Sequence, residues 1–288
     1  MGVLFEQMTI VGVGLIGGSL ARAARERGLI HRFVGAGRRV ENLEKALALG
    51  VVDRIETDRK EAVRGSDLVV VCTPVQAAAG VVREILPAME PGAILTDVGS
   101  VKAPFVREVE EMELGGVRFV GGHPIAGTEQ SGVEASFAAL YENHRTILTP
   151  TPSSEPEAVA SLKSLWEGVG ARVDLLDPES HDRVLADISH LPHLVAYALV
   201  NAALEGGGVS YAAGGFRDFT RIASSSPEIW RDICLDNREA LLASLAAFEG
   251  SLAGLRRAIE GGDGEALDEA FWRAKEGRDD WLRERGWS

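Results

Sequence analysis

The sequence predicts an α/β fold, a Rossmann-type doubly wound parallel sheet followed by an all-helical domain, and three observations predict it. Short apolar runs alternate with stretches of helical periodicity as far as Pro150. A glycine-rich turn stands between the first apolar run and the first helical stretch. Beyond Asp177 the β-rich runs cease while helical periodicity continues.

In chain order, strands are expected at Met8 to Val11, Phe33 to Ala36, Leu68 to Cys72, Ala93 to Asp97, Arg118 to Gly121 and Arg145 to Leu148. Between most of them lie helical patterns, at Ser19 to Arg27, Val40 to Leu49, Val75 to Met89 and Ala103 to Met112. Short apolar strands separated by helices are covered on both faces, which is the pattern of a parallel sheet. A polar stretch, TPTPSSEPE, then precedes one more helix (Ala158 to Val169) and one more strand (Arg172 to Leu175). Helical patterns at Asp182 to Leu204, Pro227 to Ile259 and Glu265 to Arg283 complete the chain. The expected boundary therefore separates a dinucleotide-binding domain, 1–176, from a helical domain, 177–288.

With 288 residues, 45% hydrophobic and 25% charged, the chain can bury a core without metal or disulfide staples. A net charge of −13 argues against a nucleic-acid or anionic-membrane partner and leaves a small molecule as the expected ligand. Cys72 and Cys234 form no C-x-x-C pair, so a reducing compartment, the cytoplasm, is expected. The opening MGVLFEQMTIVG lacks a basic leader region, and no leader is expected. The apolar stretch Val184 to Leu204 is broken by Asp187, two histidines, Pro192 and Asn201, which suits a buried helix and not a membrane span.

Gly12, Gly14 and Gly17 form G-x-G-x-x-G after the first strand. The first glycine permits the tight turn, the second lets a pyrophosphate approach the backbone, and the third lets helix and strand pack closely. The amides of Leu15, Ile16 and Gly17 then open a helix whose positive end faces the phosphates. An acid at the end of the second strand would hold the ribose 2′-hydroxyl of NAD. Gly37 stands there instead, followed by Arg38 and Arg39, whose guanidinium forks suit a 2′-phosphate. NADP is therefore the preferred cofactor, with NAD possible if the arginines are only solvated. Thr73 and Pro74, after the third strand, lie at the carboxyl edge, where ligands of such sheets sit.

Ser100, after the next strand, can hydrogen-bond a substrate or nicotinamide, or cap the following helix. His123 lies at the end of a strand in a loop of small residues, GGHPIAGTE, where an imidazole is either a titrating catalyst or part of the loop. His190 and His193 share a helix face, with Pro192 between them as a kink. A metal would need a third ligand that the pattern lacks, so core-lining or helix-bonding roles stand beside a pocket role. The cluster GGFRDFTR, with Arg217, Asp218 and Arg221, either clamps a carboxylate or is an exposed ion-paired loop.

The segments GVGLIGGS, DVGSVK, HPIAGTE, the pair His181-Asp182, SHLPH and GGFRDFTRIA together resemble the prephenate and arogenate dehydrogenases, and the prephenate type most closely. The resemblance implies oxidative decarboxylation of prephenate to 4-hydroxyphenylpyruvate on the route to tyrosine, with arogenate as the alternative substrate. It implies that His123 is the base at the C4 hydroxyl and that Ser100 fixes the hydroxyl and nicotinamide. Arg221 would clamp a carboxylate, His190, His193 and Thr128 would line the pocket, and Glu129 and Asp218 would orient their neighbours. His193 favours prephenate over arogenate. The helical domain would form a homodimer, with the active site in the cleft between domains. The chain departs from the family pattern in lacking the cofactor-selecting acid, and its length leaves no room for the fused mutase or regulatory domains of some relatives. A β-hydroxyacid dehydrogenase or imine reductase would carry a lysine or another acid on the long interdomain helix, and Ser189 to Tyr197 contains no lysine. A non-enzymatic NADP-binding protein would be indifferent to the loss of His123.

Overall fold

The protein was analysed as a computed structural model that describes residues 2–128 and 130–285. Strands β1 (Phe5–Val11), β2 (Ile30–Ala36), β3 (Arg54–Glu56), β4 (Leu68–Val71), β5 (Ile94–Asp97) and β6 (Arg118–Phe119) form one parallel sheet in the order β3-β2-β1-β4-β5-β6. Helices α1 (Leu15–Glu26), α2 (Val40–Ala48), α3 (Arg59–Val63), α4 (Val75–Ile85) and α5 (Ala103–Glu110) connect them. This is the strand order of a dinucleotide-binding sheet, and the order in which successive strands are added reverses between β1 and β4, opening a crevice at their carboxyl ends.

Alternation along β4 shows why the strands read as unbroken apolar runs. Leu68 and Val70 enter a core with Met8, Ile10, Phe33 and Trp166, while Val69 and Val71 enter a second core with Val34, Val82 and Phe105. Both faces of the sheet are covered, so side chains of either parity along β4 are apolar.

The run expected as one strand from Arg118 to Gly121 divides at Val120. Its second part becomes β7 (Gly121–Ile125), which pairs antiparallel with β8 (Arg145–Thr149), and β9 (Arg172–Leu175) completes a three-stranded sheet in the order β7-β8-β9. His123 therefore sits on a strand and not in the expected loop. The sequence GGHPI conceals this because glycine and proline disfavour strands. The glycines are needed here: a Cβ on Gly121 would lie 2.5 Å from Thr149 Oγ1, and one on Gly122 would lie 2.9 Å from the Asp97 carbonyl. Pro124 is tolerated because β7 is an edge strand.

After α6 (Pro156–Gly168) and β9 come α7 (Pro178–Leu185), one π-helical turn (Ala186–His190), α8 (Leu191–Glu205), α9 (Gly214–Thr220) and α10 (Pro227–Asp236). The wide turn lies just ahead of Pro192, which has no N–H to continue an α-helical ladder. Compact packing divides the chain into a unit ending at Arg238 and another beginning at Glu239. The second is built from α11 (Arg238–Gly261) and α12 (Gly264–Arg285). Among the described residues no helix is long and apolar enough to cross a membrane.

Candidate active site

The turn after β1 is shaped by contacts only glycine allows. Gly12 has φ +99°, and a Cβ there would approach the Cys72 carbonyl oxygen to 2.6 Å. A Cβ on Gly17 would meet Ile10 Cγ2 at 2.6 Å, so α1 can lie on β1 only with glycine in its first turn. Gly14 is the N-cap of α1 and provides no side-chain cap, and the position its Cβ would take is empty to 4 Å. The first-turn amides are thus left for an external acceptor. Across the crevice, the hydroxyl of Thr73 is buried without a partner among the described residues, beside Pro74, the N-cap of α4. These features fit a dinucleotide, whose pyrophosphate would take the α1 amides and whose nicotinamide portion would reach the Thr73 edge.

Gly37 follows β2, with Arg38 and Arg39 exposed beyond it and in no ion pair among the described residues. The carboxylate nearest in register, Glu56 opposite Ala36, accepts instead from the amides of Thr57 at 2.9 Å and Asp58 at 3.2 Å.

The carboxyl end of β5 carries a buried ion pair. Asp97 meets the ammonium of Lys102, a side chain with no solvent exposure. Lys102 Nζ also donates to the Gly122 carbonyl at 2.9 Å, while Asp97 accepts from the amides of Gly99 at 2.7 Å and Gly122 at 3.1 Å. Burial pushes the Lys102 pKa down while the charge of Asp97 opposes the shift. The pair ties the edge of the first sheet to β7, the strand that presents His123.

His123 is 9% exposed, and its Nδ1 lies 2.8 Å from Nε2 of His181 on α7. Nδ1 of His181 lies 2.8 Å from Asp182 Oδ1. The same carboxylate accepts from the backbone amides of Lys102 and Ala103, each at 2.8 Å. Asp182 is therefore the cap of α5, supplied from a distant helix. Ser100 does not cap: the N-cap residue of α5 is Lys102, and the half-buried Ser100 hydroxyl has no hydrogen bond among the described residues. Its potential to bind a ligand is intact.

His190 is buried behind this chain. Asn237 Nδ2 donates to the Asp182 carbonyl at 2.8 Å and lies 2.9 Å from His190 Nδ1. His193 Nδ1 lies 2.8 Å from the Ser189 carbonyl, and its ring stacks on Trp230 with centroids 3.5 Å apart and an interplanar angle of 17°. Trp230 also meets His190 edge-on. Burial is the main cause pushing every one of these imidazoles toward the neutral form, His190 down to about 4. The nearby charge of Lys102 pushes His123 further down, and that of Arg221 does the same to His193.

The structure thus brings together His123, His190 and His193, with Arg221 within electrostatic reach of His193. It does not join Thr128 or Asp218 to them. Thr128 is exposed and its hydroxyl accepts from the Gln130 amide at 3.2 Å, and Asp218 is exposed and paired with Arg217 at 3.0 Å. Glu129 lies outside the described residues. The sequence reading gave no role to Lys102 or Asn237, nor separate roles to His181 and Asp182. A lysine shortly after a buried strand that ends in an aspartate was a usable signal, whereas nothing local marks Asn237.

A doubly wound dinucleotide sheet whose carboxyl edge adjoins a buried, neutral imidazole defines an NAD(P)-binding dehydrogenase. The family model described as prephenate dehydrogenase, nucleotide-binding domain, matches residues 20–175, and that described as prephenate dehydrogenase, dimerization domain, matches residues 177–273. The cyclohexadienyl dehydrogenase of Zymomonas mobilis is 38% identical, with 96% of each chain covered. A crystal structure of prephenate dehydrogenase from Aquifex aeolicus, in complex with hydroxyphenyl propionate and NAD+, superposes with a TM-score of 0.91 at 39% identity, covering 96% of this chain and 98% of that one. The arogenate dehydrogenase of Synechocystis superposes with a TM-score of 0.84 at 33% identity, covering 96% of this chain and 99% of that one. The chain belongs to the prephenate dehydrogenase family.

Proposed function

We propose that the protein oxidises and decarboxylates prephenate to 4-hydroxyphenylpyruvate, in tyrosine biosynthesis, with His123 as the base. The observation that carries the reading is the buried imidazole of His123, hydrogen-bonded to His181 at the carboxyl edge of a dinucleotide sheet. Gly12, Gly14, Gly17 and the amides of Leu15 and Ile16 would hold the pyrophosphate. Thr73 and Pro74 would hold the nicotinamide portion, which would supply the hydride acceptor. His123 takes the C4 hydroxyl proton as the hydride leaves the same carbon. It returns that proton to the oxygen when the ring carboxylate departs as carbon dioxide and the ring becomes a phenol. Burial pushes the pKa of His123 well below that of a free imidazole, which suits the first step, because a base must be unprotonated to take the hydroxyl proton. Ser100 positions the hydroxyl, and Arg221 holds a substrate carboxylate beside His193 and His190. The family pattern adds Thr128 as a pocket-lining residue and Glu129 and Asp218 as residues that orient their neighbours.

NADP is the preferred cofactor on this reading, supported by the absence of an acid at Gly37 and by the unpaired Arg38 and Arg39. The division at 176/177 is read as the boundary between cofactor and substrate portions. The helical portion forms a homodimer, a reading supported by exposed apolar side chains such as Leu252, Ile259, Phe271 and Trp272. A cytoplasmic location accords with two cysteines in no disulfide. Arogenate remains the second substrate, favoured by the family's breadth.

An assay pairing prephenate and arogenate with NAD and NADP tests the reading. The fastest reduction is expected with prephenate and NADP, and no reduced nicotinamide in any pairing would refute it. His123→Asn is expected to lower turnover on the order of a hundred-fold or more with cofactor affinity nearly unchanged.

A further inference from the structure

The hydrogen bonds around the imidazoles form a one-way chain once each group's capacity is counted. Asp182 is an acceptor only, so Nδ1 of His181, 2.8 Å from it, carries a proton and donates. A neutral His181 then has a bare lone pair on Nε2. Nδ1 of His123, 2.8 Å from that lone pair, must in turn carry its proton and donate. One nitrogen of His123 remains, Nε2, and it is unprotonated.

Asn237 sets a second imidazole the other way. Its Nδ2 faces the Asp182 carbonyl at 2.8 Å, which only an N–H can satisfy, so the orientation of the amide is determined. The second N–H of the same nitrogen points to His190 Nδ1 at 2.9 Å, which must accept. The proton of His190 is therefore on Nε2. Nδ1 of His193 donates to the Ser189 carbonyl, leaving its own Nε2 bare. Burial pushes each of these rings toward the neutral form with one ring proton, and the hydrogen-bond partners then place that proton.

We propose that His181 and Asp182 are positioning residues that lock His123 with its proton on Nδ1 and a bare acceptor at Nε2, and that Asn237 locks His190 as a fixed N–H donor. The inference rests on His123 being the base of the proposed reaction. It supplies what that role requires, a lone pair present in every molecule instead of in the fraction with the favourable tautomer. When Nε2 takes a substrate proton, the resulting positive ring already donates through Nδ1 toward His181 and the Asp182 carboxylate, which stabilises it. No atom moves except the transferred proton, and it returns by the same path.

The test is nitrogen NMR on the full chain labelled with 15N-histidine, where protonated and bare ring nitrogens resonate far apart. The His123 signals are assigned by their loss in His123→Asn. The wild-type spectrum at neutral pH is expected to show His123 protonated at Nδ1 and His190 at Nε2. His181→Gln keeps an acceptor oxygen for His123 and is expected to retain its tautomer and most of the turnover. His181→Phe removes the acceptor and is expected to shift His123 toward the Nε2–H form, with turnover at least about ten-fold lower, or about 1.4 kcal/mol in barrier. A wild-type His123 protonated at Nε2 would overturn the proposal, as would a His181→Phe protein with unchanged tautomer and rate. If His181→Phe does not fold, the wild-type spectrum and the glutamine variant still decide. A protein with the expected tautomers that reduces no cofactor with prephenate would support the lock while refuting the assigned reaction.

Discussion

The cofactor cradle and the imidazole cluster differ in how far the chain must travel to build them. The cradle lies within the single run Gly12–Ser19, and its shape comes from side chains that are missing. The imidazole cluster draws on Asp97, Lys102, His123, His181, His190 and Asn237, and its shape comes from side chains that meet across elements distant in the chain. A turn made by glycines is robust to changes elsewhere, because its contacts are to Ile10 on the adjacent β1 and to Cys72 just after β4. A cluster made by polar contacts in a dry interior depends on each member, because removing one leaves a buried partner unpaired.

That difference predicts its sharpest test at Lys102. Lys102→Met leaves the Asp97 carboxylate buried with only the amides of Gly99 and Gly122. The expected cost is about 3–5 kcal/mol of stability, read by urea denaturation. Asp97→Asn added to it should recover part of the loss. At a temperature where the single variant still folds, NADP affinity should persist while turnover falls. An equal loss of both would show that the cradle and the cluster are one energetic unit.

Acid should separate the two regions less drastically. In the folded protein the pKa of His190 is depressed to about 4, below its unfolded value of 6.5. Between those values the unfolded chain binds the proton and the folded chain does not. Stability is therefore fully present above about pH 6.5 and is lost as pH falls toward about 4. For His190 alone the full span is worth roughly 3 kcal/mol, and His123 and His181 add to it in the same direction. Urea denaturation at about pH 7 and about pH 5 should show the lower stability at the lower pH. His190→Gln, which keeps an acceptor for Asn237, should flatten the dependence. A pH-independent unfolding free energy would mean the imidazoles are not held neutral.

The same contrast explains what was legible in the sequence. G-x-G-x-x-G could be read because strand, turn and helix are consecutive, and five strands of the six-stranded sheet followed from apolar runs, while the short edge strand β3, Arg54–Glu56, carries no such run and the expected strand at Arg145 to Leu148 joined the other sheet. His123 stood out by its neighbours, but not its place on β7, since Gly121, Gly122 and Pro124 argue locally for a loop. They are overruled by the close approach of Asp97 and Thr149. Ser100 read as well as any residue as the cap of α5, and no local rule announces that Asp182 takes that place. Asn237 stands at the end of α10 with nothing beside it in sequence to suggest an imidazole. What escaped is what depends on pairs distant in the chain.

The smallest expected effect belongs to the cradle's outer end. Arg38 and Arg39 follow Gly37 on the surface, so a 2′-phosphate there would be held by solvent-exposed guanidinium groups and not by a buried pair. Charge-assisted hydrogen bonds of this kind contribute about 1.5–3 kcal/mol, less where water competes. Replacing both arginines with alanine should weaken NADP binding roughly ten-fold or more and leave NAD nearly unchanged, as read by fluorescence titration of the two reduced cofactors. Because no carboxylate stands at Gly37 and Glu56 is occupied by the amides of Thr57 and Asp58, NAD should gain nothing from the change. A parallel gain would come only from introducing the missing acid, as in Gly37→Asp, which should repel the 2′-phosphate and offer NAD a partner for its ribose. If the alanine pair weakens both cofactors equally, the arginines serve the shared portion of the dinucleotide, and the cradle reaches further along the chain than its glycines.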